Sequence, residues 1–362
     1  MKFVIFGLTI TSSWGNGHAT LWRGLCKALS KRGHQIVFFE RDVTYYAGAR
    51  DFYNDAEIQV VLYPAWENVR PLAALEMRDA DAVIISSYCP DAIAATELAA
   101  NEARSLRVFY DLDTPVTLAR LRGNLPVEYI GREGLSGFDV VLSFTGGGTL
   151  DTLKNLLGAR RVAPLYGHVD PDVHGPAPAQ PHYQAALSYL GTYAADRQSI
   201  LEQAFVIPAR ARIDDRFLIG GAQYPADFPW SNNIYFVRHL PPSEHAAFFS
   251  SSRLTLNVTR PSMAENGWCP SGRLFEAAAC QTAILSDPWP GLEDFFTPGS
   301  ELLLTSGADD TLAAMDVDDA QLARIGRAAR ERVLDEHTSA RRAVELESIL
   351  GSEARAPIMA EA

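Results

Sequence analysis

Lysine is scarce in this chain: Lys2, Lys27, Lys31 and Lys154 are the only four in 362 residues. Schiff-base lysine chemistry is therefore excluded beyond residue 154. Cysteine is equally sparse. Cys26, Cys89, Cys269 and Cys280 form no C-x-x-C pair and no cysteine–histidine cluster of zinc spacing, so structural zinc is not expected. Four isolated cysteines fit a reducing compartment. Positive charge is also short, with 32 basic against 44 acidic side chains and a net charge of -12. A broad grip on nucleic acid needs clustered Lys and Arg, so no nucleic-acid partner is expected. The longest opening apolar stretch, residues 1–10, is too short to span a bilayer, and no small-residue cleavage site follows it. These absences together predict a cytoplasmic protein without an integral membrane segment; a homo-oligomer is compatible with them.

What is present is ordinary globular composition, 47% hydrophobic and 21% charged, over a length that suits two domains. Short apolar runs alternate with helical-period segments from end to end, the pattern of parallel α/β folding. Strands are expected over residues 2–8, 35–40, 58–62, 82–86, 106–110 and 139–144, the last closing the first sheet. Helices are expected over 18–32, 90–103 and 149–157. A turn-rich passage with Gly167, Pro171, Gly175, Pro176, Pro178 and Pro181 reads as a linker. Strands then resume over 187–191, 216–220, 234–237, 254–258 and 283–286, and 319–350 reads as helix. The expected organisation is an N-terminal Rossmann-like domain over 1–175 and a C-terminal Rossmann-like domain over 183–345. A tail follows over 346–362. Two such domains would face each other across a cleft, with ligands at the carboxyl ends of the strands.

That rule turns loops into candidate sites. Gly15, Asn16 and Gly17 precede His18 at the first strand-to-helix junction, where bare amides can approach a ligand. Gly15-x-Gly17 also comes near a dinucleotide fingerprint, but Thr20 holds the third glycine position; a nicotinamide reading would require Glu40 to take the ribose. His18 could serve as a general base if a carboxylate orients it, or simply close the helix. Asp111 and Asp113 end a strand and suit hydroxyl binding or that orienting task, or an Asp turn before Pro115. Gly146 and Gly147 open another helix and admit a ligand or allow domain closure. In the second half, Ser271, Gly272 and Arg273 put amides and a guanidinium at a helix start, as a diphosphate needs. Glu276, one turn on, could accept two ribose hydroxyls or pair with Arg273. Gly291, Leu292, Glu293 and Asp294 follow a strand end and could line a sugar site. Residues 181–362 hold only 15 basic side chains against 24 acidic, so Arg197, Arg260 and Arg273 are the cations that matter there.

The run from Pro270 to Asp294 resembles the donor-binding region of GT-B glycosyltransferases of the family 4 type, and most closely the CgeB-like glycosyltransferases. Further segments agree with it: residues 110–115 (YDLDTP), 142–147 (LSFTGG), 164–171, 190–193 (LGTY) and 256–260 (LNVTR). The resemblance covers about residues 1–345. It implies a GT-B fold and transfer of a sugar from a nucleotide-diphosphate donor, UDP favoured, to an acceptor hydroxyl without a metal or bound cofactor. It places Glu276 on the ribose, Ser271–Arg273 near the diphosphate and residues 291–294 on the sugar. Family members usually carry an arginine after the first strand of the second domain and a lysine five residues later. Here Thr192 and Arg197 stand there, with Arg260 as the substitute cation. The usual first glutamate falls at Trp268, and Glu265 is out of register. This departure leaves His18, with Asp113, as an inverting base. Two alternatives remain: a non-catalytic sugar-nucleotide-binding protein, and a GT-B-fold epimerase.

Overall fold

The computed structural model describes residues 1–53 and 57–353. It divides into two units, residues 1–166 with 339–362 and residues 167–338. The first is built on seven parallel strands: β1 (Lys2–Gly7), β2 (Gln35–Arg41), β3 (Gln59–Tyr63), β4 (Ala82–Ser86), β5 (Leu106–Asp111), β6 (Val140–Ser143) and β7 (Val162–Pro164). Their order is β3-β2-β1-β4-β5-β6-β7. The inner strands read as nearly continuous apolar runs because helices cover both faces of a parallel sheet, whereas the edge strand β3, and Ile234–Arg238 at the edge of the second unit's sheet, stay partly exposed. Val4 lies between Val37 and Val83, and Phe6 stacks on Phe39 with ring centroids 4.7 Å apart. The second unit repeats the plan with β8 (Leu187–Leu190), β9 (Phe217–Gly221), β10 (Ile234–Arg238), β11 (Leu254–Asn257), β12 (Ala283–Ser286) and β13 (Leu303–Leu304), in the order β10-β9-β8-β11-β12-β13. The strand order reverses beside β1 in one unit and beside β8 in the other. Those reversals open the crevices where doubly wound sheets bind ligands.

Four expectations need correcting. The first sheet does not close at β6, because Val162–Pro164 adds an edge strand paired through Val141 and Val162. Three residues ending in proline leave too short an apolar run to read. The expected helix over 319–350 is two helices, Asp319–Glu336 and Ser339–Glu353, interrupted where His337 accepts from the Val169 amide. The second of these helices belongs to the first unit. Ala343, Leu346 and Leu350 are fully buried there, and Glu347 takes Arg32 and His34 at 2.6 Å each. The units thus divide at 166/167 and again at 338/339, not at 175–183 and 345/346. Of the expected tail, residues 354–362 lie outside the described residues. The turn-rich passage is not a loose tether either: the amides of Ala177 and Gln180 bond Ser250 and Ser251 Oγ at 3.0 and 2.8 Å. That packing carries His174 into the interior of the second unit.

Candidate functional site

At the crevice of the first unit, the loop after β1 turns into the helix His18–Lys31. Asn16 fixes the turn: its Oδ1 accepts from the amides of His18 and Ala19 at 3.0 and 3.2 Å, while its Nδ2 donates to the carbonyls of Ser12 and Trp14. Gly15 takes a φ of +66°. His18 and Asp113, 95 positions apart, meet at 2.9 Å through Nε2 and Oδ2. A carboxylate accepts, so the imidazole carries its proton on Nε2 and presents Nδ1 as a base. That Nδ1 is buried and has no hydrogen-bond partner. Ser87 completes the arrangement, donating to Asp113 Oδ2 at 2.9 Å while the Leu112 amide donates to Ser87 Oγ. Asp111 accepts from the Asp113 amide at 3.0 Å, and its Oδ2 is buried without a partner. Burial, helped by the charge of Asp113, pushes the Asp111 carboxyl up to about 7. Tyr88, held at a φ of +58°, sets its ring 6.3 Å from that of His18. Ser87 and Tyr88 sit in the loop after β4, residues 86–88, a strand-end loop expected at the site although neither side chain is given a role by the sequence alone.

Two candidate features of this unit are explained by packing. A Cβ on Gly146 would lie 1.9 Å from the Tyr166 hydroxyl, so that glycine answers a side chain of its own unit. Its neighbour Gly147 takes a φ of +60°. Glu40 is completely buried and takes four donors, Thr9 Oγ1, the amides of Ile10 and Thr11, and Thr11 Oγ1, at 2.6 to 2.9 Å. Both its oxygens are occupied in holding the loop after β1, so the ribose role required for a nicotinamide cofactor is not open to it.

At the crevice of the second unit, the helix Gly272–Ala279 starts with Ser271 Oγ accepting from the Arg273 amide. A Cβ on Gly272 would meet nothing within 4 Å, so the helix start borders open space. Arg197 donates to the Thr192 carbonyl at 2.8 Å, and the Nε atoms of Arg197 and Arg273 are buried without partners. Both arginines act on the Tyr224 hydroxyl, which burial pushes up and their charge pulls back. The sequence reading did not single out Tyr224; it donates to the Gly191 carbonyl at the end of β8. Arg260 instead pairs with Asp196 at 2.8 Å. Its charge is answered, so it adds less to an anion site than its two neighbours.

The stretch 291–294 proves largely occupied with Trp268. The Trp268 amide donates to the Pro290 carbonyl, and its Nε1 donates to Asp294 Oδ2 at 2.6 Å. Gly291, at a φ of +85°, lies so close to the indole that a Cβ would come within 2.6 Å of it. Leu292 is buried, whereas Glu293 is exposed. Asp294 is committed to the indole that stands at the expected glutamate position.

Glu276 sits in the second unit's interior, 9% exposed. His245 Nδ1 lies 3.7 Å from its Oε2, and His174 Nε2 lies 3.3 Å from the same His245 nitrogen. The three donor atoms fall within 4.8 Å of one another. Burial carries the His245 imidazole down to about 4, against the pull of Glu276, so it is neutral at pH 7. Burial alone would raise Glu276; the field of His174, His245 and Arg273 outweighs it and holds the carboxyl below its usual range. With His245 neutral, Arg273 is the permanent cation in that field. This cluster has no signature in the sequence, because its members come from a turn and two separate helices.

Residues 197–348 match a family model described as glycosyl transferase-like. No curated protein matches the chain by sequence. Sucrose-phosphate synthase from Thermosynechococcus elongatus superposes with a TM-score of 0.71 at 14% identity, over 97% of this chain and 98% of that one. An α-glucosyltransferase in complex with UDP and a 13-mer DNA gives 0.70 at 15%, over 97% and 99%. Anabaena HepE, in complex with UDP and glucose, gives 0.67 at 12%, over 97% and 100%. The fold is GT-B, two parallel-sheet Rossmann-like units, and residues 197–348 are glycosyl transferase-like, which supports a transferase. Among the described residues, no helix is long and apolar enough to cross a membrane.

Proposed function

We propose that the protein transfers a sugar from a nucleotide-diphosphate donor, UDP-linked, to an acceptor hydroxyl, within the CgeB-like group of GT-B enzymes. The observation that carries this reading is the start of the helix Gly272–Ala279. There an open approach at Gly272 coincides with two buried, unpartnered guanidinium nitrogens, on Arg197 and Arg273. A diphosphate satisfies both and draws on the helix amides as well. Glu276 lies one turn along for the ribose. Several solved structures of this fold hold UDP or UDP-glucose.

The first unit supplies the base. His18 Nδ1 takes the acceptor proton as the acceptor oxygen attacks the anomeric carbon and the bond to the diphosphate breaks, with inversion. Asp113 holds the ring and stabilises its charged form, and Ser87 holds Asp113. The arginines and amides stabilise the leaving diphosphate, with no metal at that step. A chain of net charge -12 favours a small or neutral acceptor over a nucleic acid, and the reaction needs no bound cofactor. A cytoplasmic location fits donors of this kind.

Thermal melting with millimolar UDP, GDP and dTDP tests the reading. A ligand at about 100 times its Kd adds roughly 2.7 kcal/mol, which is a rise of several degrees. We expect that rise with UDP, its loss in Arg273→Ala, and its loss in Gly272→Val with the unliganded melting temperature nearly unchanged. His18→Ala should melt with UDP as the wild type does. No rise with any of the three diphosphates would overturn the assignment.

A further inference from the structure

We infer that His174 Nε2, His245 Nδ1 and Glu276 Oε2 form a binding site for one divalent transition-metal ion of the zinc class, inside the second unit. The spacing of the donors comes first. Zinc holds nitrogen and carboxylate oxygen at about 2.0–2.2 Å, so donors at tetrahedral angles stand roughly 3.3–3.5 Å apart. The two observed separations are 3.3 and 3.7 Å, and the third is below 4.8 Å. A small inward adjustment closes that triangle around an ion, with a fourth position left for water.

The tautomers come second. His245 Nε2 lies 3.3 Å from the Leu240 carbonyl, an acceptor, so the ring carries its proton there and turns a lone pair on Nδ1 inward. Histidine ligands are commonly oriented by such a bond from the far nitrogen to a backbone carbonyl. Without a cation, that lone pair faces the carboxylate of Glu276. A proton on His174 Nε2 would satisfy His245 Nδ1, but it would leave Glu276 Oε2 buried with no donor, as it is found. A buried, unpaired carboxylate oxygen carries a heavy desolvation cost. A dication bound by all three groups removes it, and a two-histidine, one-glutamate donor set suits zinc.

All three residues are buried, so the ion would enter as the unit folds. It would tie the passage after β7, the helix Pro242–Ser250 and the helix Gly272–Ala279 to one point. The inference departs from the expectation of a metal-free chain, and it stands whether or not the chain transfers a sugar. It uses only one oxygen of Glu276 and places no ion at the diphosphate.

Elemental analysis of the purified full-length protein, with no nucleotide added, tests it. We expect about one equivalent of zinc-class metal, and none in His174→Gln or His245→Ala. Wild-type protein refolded with Co(II) should show the intense visible absorption of a tetrahedral nitrogen–oxygen site. This second reading needs no variant, so a variant that fails to fold does not blunt the test. The loss of affinity in Glu276→Gln should exceed the roughly tenfold to hundredfold seen when an outer-sphere partner of a metal ligand is removed. Metal retained equally by the histidine variants would overturn the site. So would a wild-type protein that carries no metal and takes up neither Zn(II) nor Co(II) on refolding.

Discussion

Asp111 is completely buried at the end of β5, and its carboxyl titrates near 7 because burial and the neighbouring Asp113 both oppose ionisation. The unfolded chain ionises the same group near 3.9. Between these values the folded state holds a proton that the unfolded state has released, so stability falls as pH rises from about 4 to about 7. Asp111→Asn removes that slope and can still accept from the Asp113 amide. Urea midpoints at pH 5 and pH 8 should show the variant gaining on the wild type at the higher pH, with a ceiling on the order of 3 kcal/mol. Equal differences at both pH values would mean that Asp111 ionises freely. At this scale His18, Asp111 and Asp113 were legible because strand-end loops can be read from apolar runs. Ser87 lies in another such loop, residues 86–88, but nothing in its identity marks its hydroxyl as the partner of Asp113. Glu276 was legible as a helical carboxylate, but the histidines that surround it are set by packing between elements distant in sequence.

Whole elements were more legible than single contacts. Every strand of four residues or more was foreseen, since a short apolar run stands out between turns even where, as in β3 and β10, the strand is partly exposed. The edge strands Val162–Pro164 and Leu303–Leu304 were not, because two or three residues make no run. Close helix packing likewise escaped notice. Gly326 sits inside the helix Asp319–Glu336, where a Cβ would lie 2.3 Å from the Gln281 carbonyl oxygen, a backbone atom that cannot swing aside. Gly326→Ala gains about 1 kcal/mol of helix propensity. Overpacking costs roughly 1–3 kcal/mol, and here it must displace main chain, so net destabilisation is expected. A lower urea midpoint with an unchanged slope would bear this out; a higher midpoint would show that the helix shifts freely.

At the scale of the molecule, chain order and unit membership part company after residue 338. The helix Ser339–Glu353 follows the second unit in sequence yet completes the first. Composition could not reveal this, because an amphipathic helix names the kind of surface it covers but not which one. The energetics are lopsided. Leu346 and Leu350 are fully buried, at roughly 1.5–3 kcal/mol each, and Arg342, also buried, donates to the Tyr166 carbonyl at 3.2 Å. Arg32 and His34 bond Glu347 and hold its carboxyl down at about 2, so the ion pair persists throughout the neutral range. Removing residues 339–362 should therefore weaken the first unit and spare the second. Hydrogen exchange separates the two outcomes: the amides of the helix His18–Lys31 and of β1 should lose protection in the truncated chain while those of β8, β11 and β12 keep theirs. Equal loss across both sheets would mean that the units unfold as one, and the last helix would then be a clasp for the whole chain.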